Sequence, residues 1–272
     1  MSTPARRALC GAIVLDVDGT MVAAPSDRIA DRLAEALLTV HARGWAIVVA
    51  TSRSPRSIEK LGFPDGIQDL PMVIANGAAL LELRTGNLSR HRLIEPRSLR
   101  LVLDVLDGAD FDSVVCTIAR EAEPVAAQDT WKVQGRDNVE RDAWALKVVA
   151  RARGRTAGST IGMLAHQFGS SLSLSHTRGE IVEITAAGAT KLDAVQALLG
   201  RHELDASRTV AFGDSMNDYE VLRWANRSFA VAPLEHGLEG AVNGVLPRAG
   251  GDSLASAIER EVEQMGDRCT DK

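Results

Sequence analysis

The 272-residue chain predicts an α/β fold in which a mostly parallel sheet, covered by helices, is interrupted by an inserted α+β layer. Short apolar runs alternate with amphipathic stretches over residues 11–75, and the same alternation resumes after residue 185. Between them the texture changes to short apolar pieces punctuated by Asn-Gly and Gly-Asn, which signal hairpins rather than long crossovers. A hydrophobic content of 45% at this length is enough for a substantial core.

The elements follow in order. Ala12, Ile13, Val14 and Leu15 form an apolar run without regular alternation, as in a strand covered on both faces; the β-branched pair Ile13 and Val14 favours strand, and Gly19 ends it. Ile29, Leu33, Leu37 and Val40 recur at helical spacing, and Gly44 closes that segment. WAIVVA, Trp45 to Ala50, reads as a second buried strand. Ser54 and Pro55 supply the cap and first turn of a short helix, and PMVIA, Pro71 to Ala75, a third strand.

In the middle section, Asn76-Gly77 and Thr85-Gly86-Asn87 mark hairpins, and Leu99, Leu103 and Leu106 line a helix after Pro96. SVVCTIA, Ser113 to Ala119, reads as a strand and Asn138 to Ala150 as a helix. Ser171 to Thr185 reads as two strands about an Arg178-Gly179 turn. Residues 84–182 are thus expected to form a domain inserted between two parts of the core, 1–83 and 183–272. Beyond it, Leu192, Val195 and Leu198 or Leu199 fit a helix, Thr209 to Phe212 a strand, and Val221, Leu222 and Ala225 a helical face. Ser228 to Ala232 fits a strand and Asp252 to Met265 a terminal helix.

A formal charge of −5 exerts no overall pull toward nucleic acid or an anionic membrane, and the interrupted string Arg151, Arg153 and Arg155 reads as solvated surface. Cys10, Cys116 and Cys269 lie far apart with no C-x-x-C unit, which argues against a disulfide framework or thiolate zinc and for a reducing, cytoplasmic setting. No apolar segment approaches a membrane span. The sequence leaves any oligomeric partner unknown.

The chemistry lies in the carboxylates. Asp16 and Asp18 stand two residues apart at the end of the first strand, where packing supplies no reason for them; their repulsion needs a cation, a shared proton or solvent. In GDSMNDYE, Gly213 to Glu220, Asp214 and Asp218 share a helical face if the helix starts before Asp214; a later start leaves Asp214 in the loop. Alone, this cluster reads equally well as a capped helix entrance, with Asp218 or Ser215 accepting an amide. Two clusters at two strand ends favour Mg²⁺, which prefers carboxylate, carbonyl and water oxygens. Asp16 and Asp214 begin such a site, and Asn217 or Asp218 completes it directly or through water. Thr51 and Ser52, after the second strand, offer a hydroxyl and backbone donors to a phosphate, and Lys191 adds positive charge.

DVDGT (Asp16 to Thr20), ATSR (Ala50 to Arg53), ATK (Ala189 to Lys191) and GDSMND (Gly213 to Asp218) resemble, in order, the four motifs of haloacid dehalogenase-like (HAD) phosphatases. Asn76-Gly77 and the place of the insertion resemble the Cof-type subfamily IIB, whose type C2B α/β cap follows the second motif. The resemblance implies a Rossmann-like core. It implies that Asp16 is the nucleophile and a Mg²⁺ ligand, and that Asp18 is the general acid/base and a ligand through its backbone carbonyl. Thr51 and Lys191 would bind the phosphoryl group, with Ser52 standing where this branch often has glycine; Arg53 would orient substrate and Asp214 ligate the metal. Asn217 and Asp218 would ligate it, hold a water or orient Lys191. The implied activity is Mg²⁺-dependent hydrolysis of small-molecule phosphomonoesters, sugar phosphates foremost, through an aspartyl-phosphate. A sugar phosphomutase or phosphotransferase, or a catalytically weak phosphometabolite-binding regulatory protein, remains the alternative. His176 and Glu180, flanking the late turn, are candidates for polar contacts with substrate. Glu183 is placed near the return to the core, and Trp131 and Trp144 read as packing residues.

Overall fold

The computed structural model describes residues 9–23, 26, 28–67, 71–89, 92–107, 111–119, 131–152, 154, 156–176 and 180–266. The first part of the core contains β1 (Gly11–Leu15), α1 (Asp31–Ala42), β2 (Trp45–Val49), the short α2 (Pro55–Ile58), β3 (Met72–Ile74), β4 (Ala79–Glu82) and β5 (Asn87–Ser89). The insertion follows with α3 (Pro96–Asp107), β6 (Phe111–Ala119), β7 (Trp131–Gly135), β8 (Trp144–Ala152), α4 (Ala157–Phe168), β9 (Leu172–His176) and β10 (Ile181–Ala186). The chain closes with α5 (Lys191–Gly200), β11 (Thr209–Gly213), α6 (Tyr219–Trp224), β12 (Arg227–Val231), β13 (Gly244–Leu246) and α7 (Asp252–Met265).

The core sheet runs β13-β12-β11-β1-β2, all parallel, and an Ala50 to Val73 bridge places β3 beside the end of β2. Period-two alternation divides its side chains between two faces. Ile13, Leu15, Ile47, Val49, Val210 and Phe212 pack with Leu33 and Leu37 of α1 and Leu254, Ile258 and Val262 of α7. Ala12, Val14, Ala46, Val48 and Ala211 pack against Val195 and Leu198 of α5 and Val221 and Leu222 of α6. The first face carries larger side chains, where the second is built on alanine and valine. Lys191, which opens α5, meets the turn before α6 at the sheet's carboxyl edge by bonding Asp16 and Asp218.

The inserted layer is a separate antiparallel sheet, β7-β6-β8-β10-β9, with α3 and α4 covering one face through Leu99, Val102, Leu106, Leu164 and Phe168. The doubly covered parallel core and inserted α+β cap are therefore both present. The expected boundary at 182 falls inside β10, which pairs with β8 and β9 along its length, and the boundary at 84 falls in the turn between β4 and β5.

Several local expectations are corrected. The segment read as a helix over Asn138 to Ala150 is mostly strand: β8 pairs with β6 on one side and β10 on the other. Tertiary pairing of Val148 and Val149 overrides the helical look of Ala, Leu and Lys there. Helix α4, not anticipated, is N-capped by Thr156, whose hydroxyl accepts the Ser159 amide, and its Gly158 and Gly162 hide it from propensity. Cys10 is disulfide-bonded, against the expectation of unpaired cysteines, while Cys116 is free and buried, and burial pushes its thiol up to about 12. The Arg178-Gly179 turn, Cys269, Arg153 and Arg155 lie outside the described residues. Among the described residues no helix is long and apolar enough to cross a membrane.

Candidate active site

Strand order places the site. From β1 the chain moves outward to β2 on one side, whereas β11 leads outward to β12 and β13 on the other, so the adjacent carboxyl ends of β1 and β11 form a topological switch point. Asp16 follows β1 there and Asp214 follows β11. Asp16, Asp214 and Asp218 are all buried, each with a carboxylate oxygen within 4.8 Å of the others. Lys191, at the first position of α5, sends its ammonium to 2.7 Å from Asp16 Oδ1 and 2.7 Å from Asp218 Oδ1, and it donates to Asn217 Oδ1 at 3.3 Å.

The acidic loop is tightly wound. Asp214 N and Ser215 N both donate to Asp218 Oδ2, at 3.1 and 3.2 Å, closing a capping box around a short 3-10 turn at Met216–Asp218. Asp214 therefore sits before the helix, and the arrangement is a capped helix entrance and a carboxylate cluster at once. Thr20 Oγ1 donates to Asp214 Oδ1 at 3.2 Å, joining the two motifs. Gly19, at φ +91°, lies so close beneath Asp214 that a Cβ there would fall 2.4 Å from Oδ2.

Burial pushes the Asp16 carboxyl well up, reinforced by Asp218 and Asp214 and opposed by Lys191. Burial acts to lower Lys191, but Asp16 and Asp218 together hold it above its usual value. Three buried carboxylates against one buried ammonium leave an excess of negative charge, and the three carboxylates are hard oxygen donors. That donor set fits Mg²⁺. Lys191 and the loop amides occupy both oxygens of Asp218, whereas Lys191 takes Oδ1 of Asp16 and Thr20 takes Oδ1 of Asp214.

Asp18 is not part of this cluster. Its carboxylate is about half exposed and forms a bidentate pair with Arg53, Nη2 to Oδ1 at 2.7 Å and Nε to Oδ2 at 2.9 Å. Thr51 is buried at the end of β2, and its Oγ1 accepts the Arg53 amide at 3.1 Å. Ser52 turns its carbonyl toward the cap, where Lys147 Nζ donates to it at 2.6 Å.

The cap face opposite α3 and α4 is polar and looks onto these residues. Lys147 on β8 pairs with Glu183 on β10 at 2.5 Å, both side chains less than a tenth exposed. Glu183 Oε2 accepts Asn76 Nδ2 at 2.6 Å, Asn76 also donates to Ser175 Oγ, and Asn217 Nδ2 donates to Asn76 Oδ1 at 3.4 Å. Asn76-Gly77 is more than a hairpin signal. Gly77, at φ +92°, lets the loop lie against the start of α5, where a Cβ would fall 2.0 Å from Thr190 O. His176 Nδ1 lies 3.1 Å from Glu235 Oε1, and Glu235 Oε2 accepts the Met216 amide. A cavity of 310 Å³ lies between cap and core, lined by Ser173, Ser175, His176, Thr185, Asn217 and Lys191 among others. Glu180 instead pairs at the surface with Arg151, and Trp144 packs against the main core. Sequence reasoning missed Lys147 and Glu235. A lysine inside the apolar run of β8 was the available signal for the first; nothing local distinguished the second.

Residues 13–258 match the haloacid dehalogenase-like hydrolase family. A Haemophilus influenzae protein named "Putative phosphatase" is 26% identical over 232 residues, covering 79% of this chain and 83% of that one. The fold is similar to that of a phosphatase of the haloalkanoate (HAD) enzyme superfamily from Bacteroides thetaiotaomicron, with TM-score 0.72, 19% identity and 98% of each chain covered. It is also similar to a HAD subclass IIB sugar phosphatase, with TM-score 0.70, 19% identity, and coverage of 92% of this chain and 98% of the other. With the carboxylates of two motifs meeting at one switch point and the family match spanning both halves of the core and the cap between them, the chain belongs to the haloacid dehalogenase-like hydrolases.

Proposed function

We propose that this protein is a Cof-type, subclass IIB phosphatase that hydrolyses small-molecule phosphomonoesters, sugar phosphates foremost, through an aspartyl-phosphate on Asp16. The observation that carries the reading is the buried cluster of Asp16, Asp214, Asp218 and Lys191, of which Lys191 lines the cavity between core and polar cap. The cap of this reading runs from α3 at Pro96 through the end of β10 at Ala186, starting later and ending a few residues beyond the 84–182 expected from sequence. Cytoplasmic placement is part of the same reading.

Lys191 holds Asp16 Oδ1, which directs Oδ2 at phosphorus for in-line attack while the bond to the leaving oxygen breaks. Asp18, released from Arg53 and protonated, gives its proton to that oxygen; it then takes one from the water that attacks the phosphorus of the aspartyl-phosphate, restoring Asp16. Thr51 and Lys191 donate to the phosphoryl oxygens, with the Ser52 amide assisting, and Asp218 with Asn217 keeps Lys191 in place. Asp16 and Asp214 would hold Mg²⁺, with the Asp18 carbonyl; when bound, the ion offsets carboxylate repulsion and neutralises charge on the transferring group. Ser173, Ser175, Thr185 and His176 present hydroxyl and imidazole groups suited to a hydroxylated leaving group, in agreement with the sugar phosphatase named above.

The test is phosphate release by purified protein with Mg²⁺ against sugar phosphates, nucleotides and vitamin phosphates, combined with trapping of phosphoenzyme. Multiple-turnover release by a folded Asp16→Asn variant, or no release from any monoester by wild type, overturns the proposal.

A further inference from the structure

The cap reaches the phosphate-binding loop through one cation. Lys147 and Glu183 lie on neighbouring strands of the cap sheet, where Thr117 pairs with Lys147 and Glu183 pairs with Ser175, and both point away from the helices toward the core. A buried ion pair is weak evidence for stability, since two apolar residues often serve as well. This pair, however, contacts catalytic loops at both ends. Glu183 holds Asn76, which leads through Asn217 to Lys191. Lys147 donates to the Ser52 carbonyl at 2.6 Å, and the other end of that same peptide unit, Arg53 N–H, donates to Thr51 Oγ1 at 3.1 Å.

The chemistry of a hydroxyl gives this geometry a direction. Thr51 Oγ1 has one proton and two lone pairs. With the Arg53 amide on one lone pair, its proton remains to be donated to another group. A cation on the carbonyl of the Ser52–Arg53 peptide fixes that plane and polarises its N–H, which strengthens the bond that orients Thr51. Leu146, beside Lys147 at a bulge in β8, is buried in the main core cluster, so the cap strand is seated on the core by apolar packing as well. Lys147 is therefore not needed merely to attach the cap.

Resting on the phosphatase reading, we propose that Lys147 is a positioning residue for phosphoryl transfer, carried by the cap, which holds the Ser52–Arg53 peptide so that Thr51 donates to the phosphoryl group. The phosphate-binding loop is then complete only with the cap docked. Because the effect falls on the phosphoryl end, it is independent of the leaving group.

The experiment uses the full chain with Lys147→Met and Glu183→Gln together, which strands no buried charge and keeps an acceptor for Asn76. Amide exchange of Arg53 is measured by NMR, and kcat/KM is measured on p-nitrophenyl phosphate and glycerol 2-phosphate with Mg²⁺. The expected result is a melting temperature close to wild type, Arg53 exchange at least tenfold faster, and kcat/KM lowered by roughly a hundredfold on both esters, as a small misplacement of a binding group predicts. Lys147→Arg, which keeps the charge and a donor, should stay within about tenfold of wild type on both measurements. Unchanged Arg53 exchange overturns the proposal whatever the activity. Wild-type kcat/KM in the double variant, a loss on one ester more than about tenfold deeper than on the other, or a Lys147→Arg loss as deep as the double variant's also overturns it. If wild type hydrolyses neither ester, the result counts against the choice of phosphatase activity, while exchange at Arg53 still decides the role of Lys147.

Discussion

Lys191 Nζ lies 2.7 Å from Asp16 Oδ1, with both side chains buried, so the nucleophile and the cation that holds it are a single electrostatic unit. Lys191→Met strands the buried carboxylates and should destabilise the metal-free protein by about 3–5 kcal/mol. Turnover should fall by about two to three orders of magnitude, as for loss of one preorganised donor to the reacting group. Melting curves with and without Mg²⁺, beside phosphate-release rates, test both halves; Mg²⁺ should recover part of the stability and little of the rate.

Asp214 should make activity depend on a hard cation. Chelation is expected to abolish phosphate release, and Mg²⁺ to restore it better than Ca²⁺, whose looser coordination suits an in-line phosphate site less well. Asp214→Ala should remove the response to Mg²⁺. Full rates in metal-free protein would falsify this assignment.

Gly19 provides a subtler probe of the same site. A side chain there meets a φ of +91° and the Asp214 carboxylate at 2.4 Å. Gly19→Ala should cost about 1–2 kcal/mol in backbone strain. By displacing Asp214 it should also raise the Mg²⁺ concentration for half-maximal activity by at least about tenfold. An unchanged Mg²⁺ titration would mean that Asp214 does not set metal affinity.

Arg53 holds Asp18 by two hydrogen bonds in a half-exposed position. If that pair orients Asp18 before releasing it to the leaving oxygen, Arg53→Ala should slow alkyl phosphates far more than p-nitrophenyl phosphate, whose leaving group needs little protonation. A plot of rate against leaving-group pKa, steeper in the variant than in wild type, is the expected outcome. Equal slopes would confine Arg53 to binding.

Arg32 and Glu259 clamp α1 to α7 in a bidentate pair, at 2.9 and 2.5 Å. The hydrogen bonds from Arg32 hold the Glu259 carboxyl below its ordinary range. The stabilisation is therefore present at pH values above the unfolded carboxylate pKa and is lost as pH falls through the lower folded value. Glu259→Gln should melt slightly below wild type at about pH 7, and the two should converge as pH falls through the folded carboxyl's lowered pKa, with a small difference throughout because the pair is partly solvated. A gap that widens on acidification would reverse the sign argued here.

What the sequence by itself determined was local and periodic. The apolar run before Asp16, the stripe of α1 and the span of α7 from Asp252 to Met265 could be read directly because one chain segment contains all the information that makes each. The motif carboxylates and Lys191 were legible as candidates for a related reason: two acidic clusters at two strand ends, with the motif order they share with a known family, lie within short stretches of sequence. Tertiary structure decided the rest. Residues 144–152 have helix-compatible composition and became β8 because strands on both sides satisfy their backbone groups. That choice made Lys147, which local reasoning did not single out, a buried cation over Ser52. Asp18 left the cluster of its neighbour Asp16 because Arg53, 35 residues away, captured it. Glu235 joined His176 and Met216 through a loop whose course depends on β12. These are contacts between segments distant in sequence, fixed by which strands become neighbours, and local periodicity says which residues seek burial without saying beside whom.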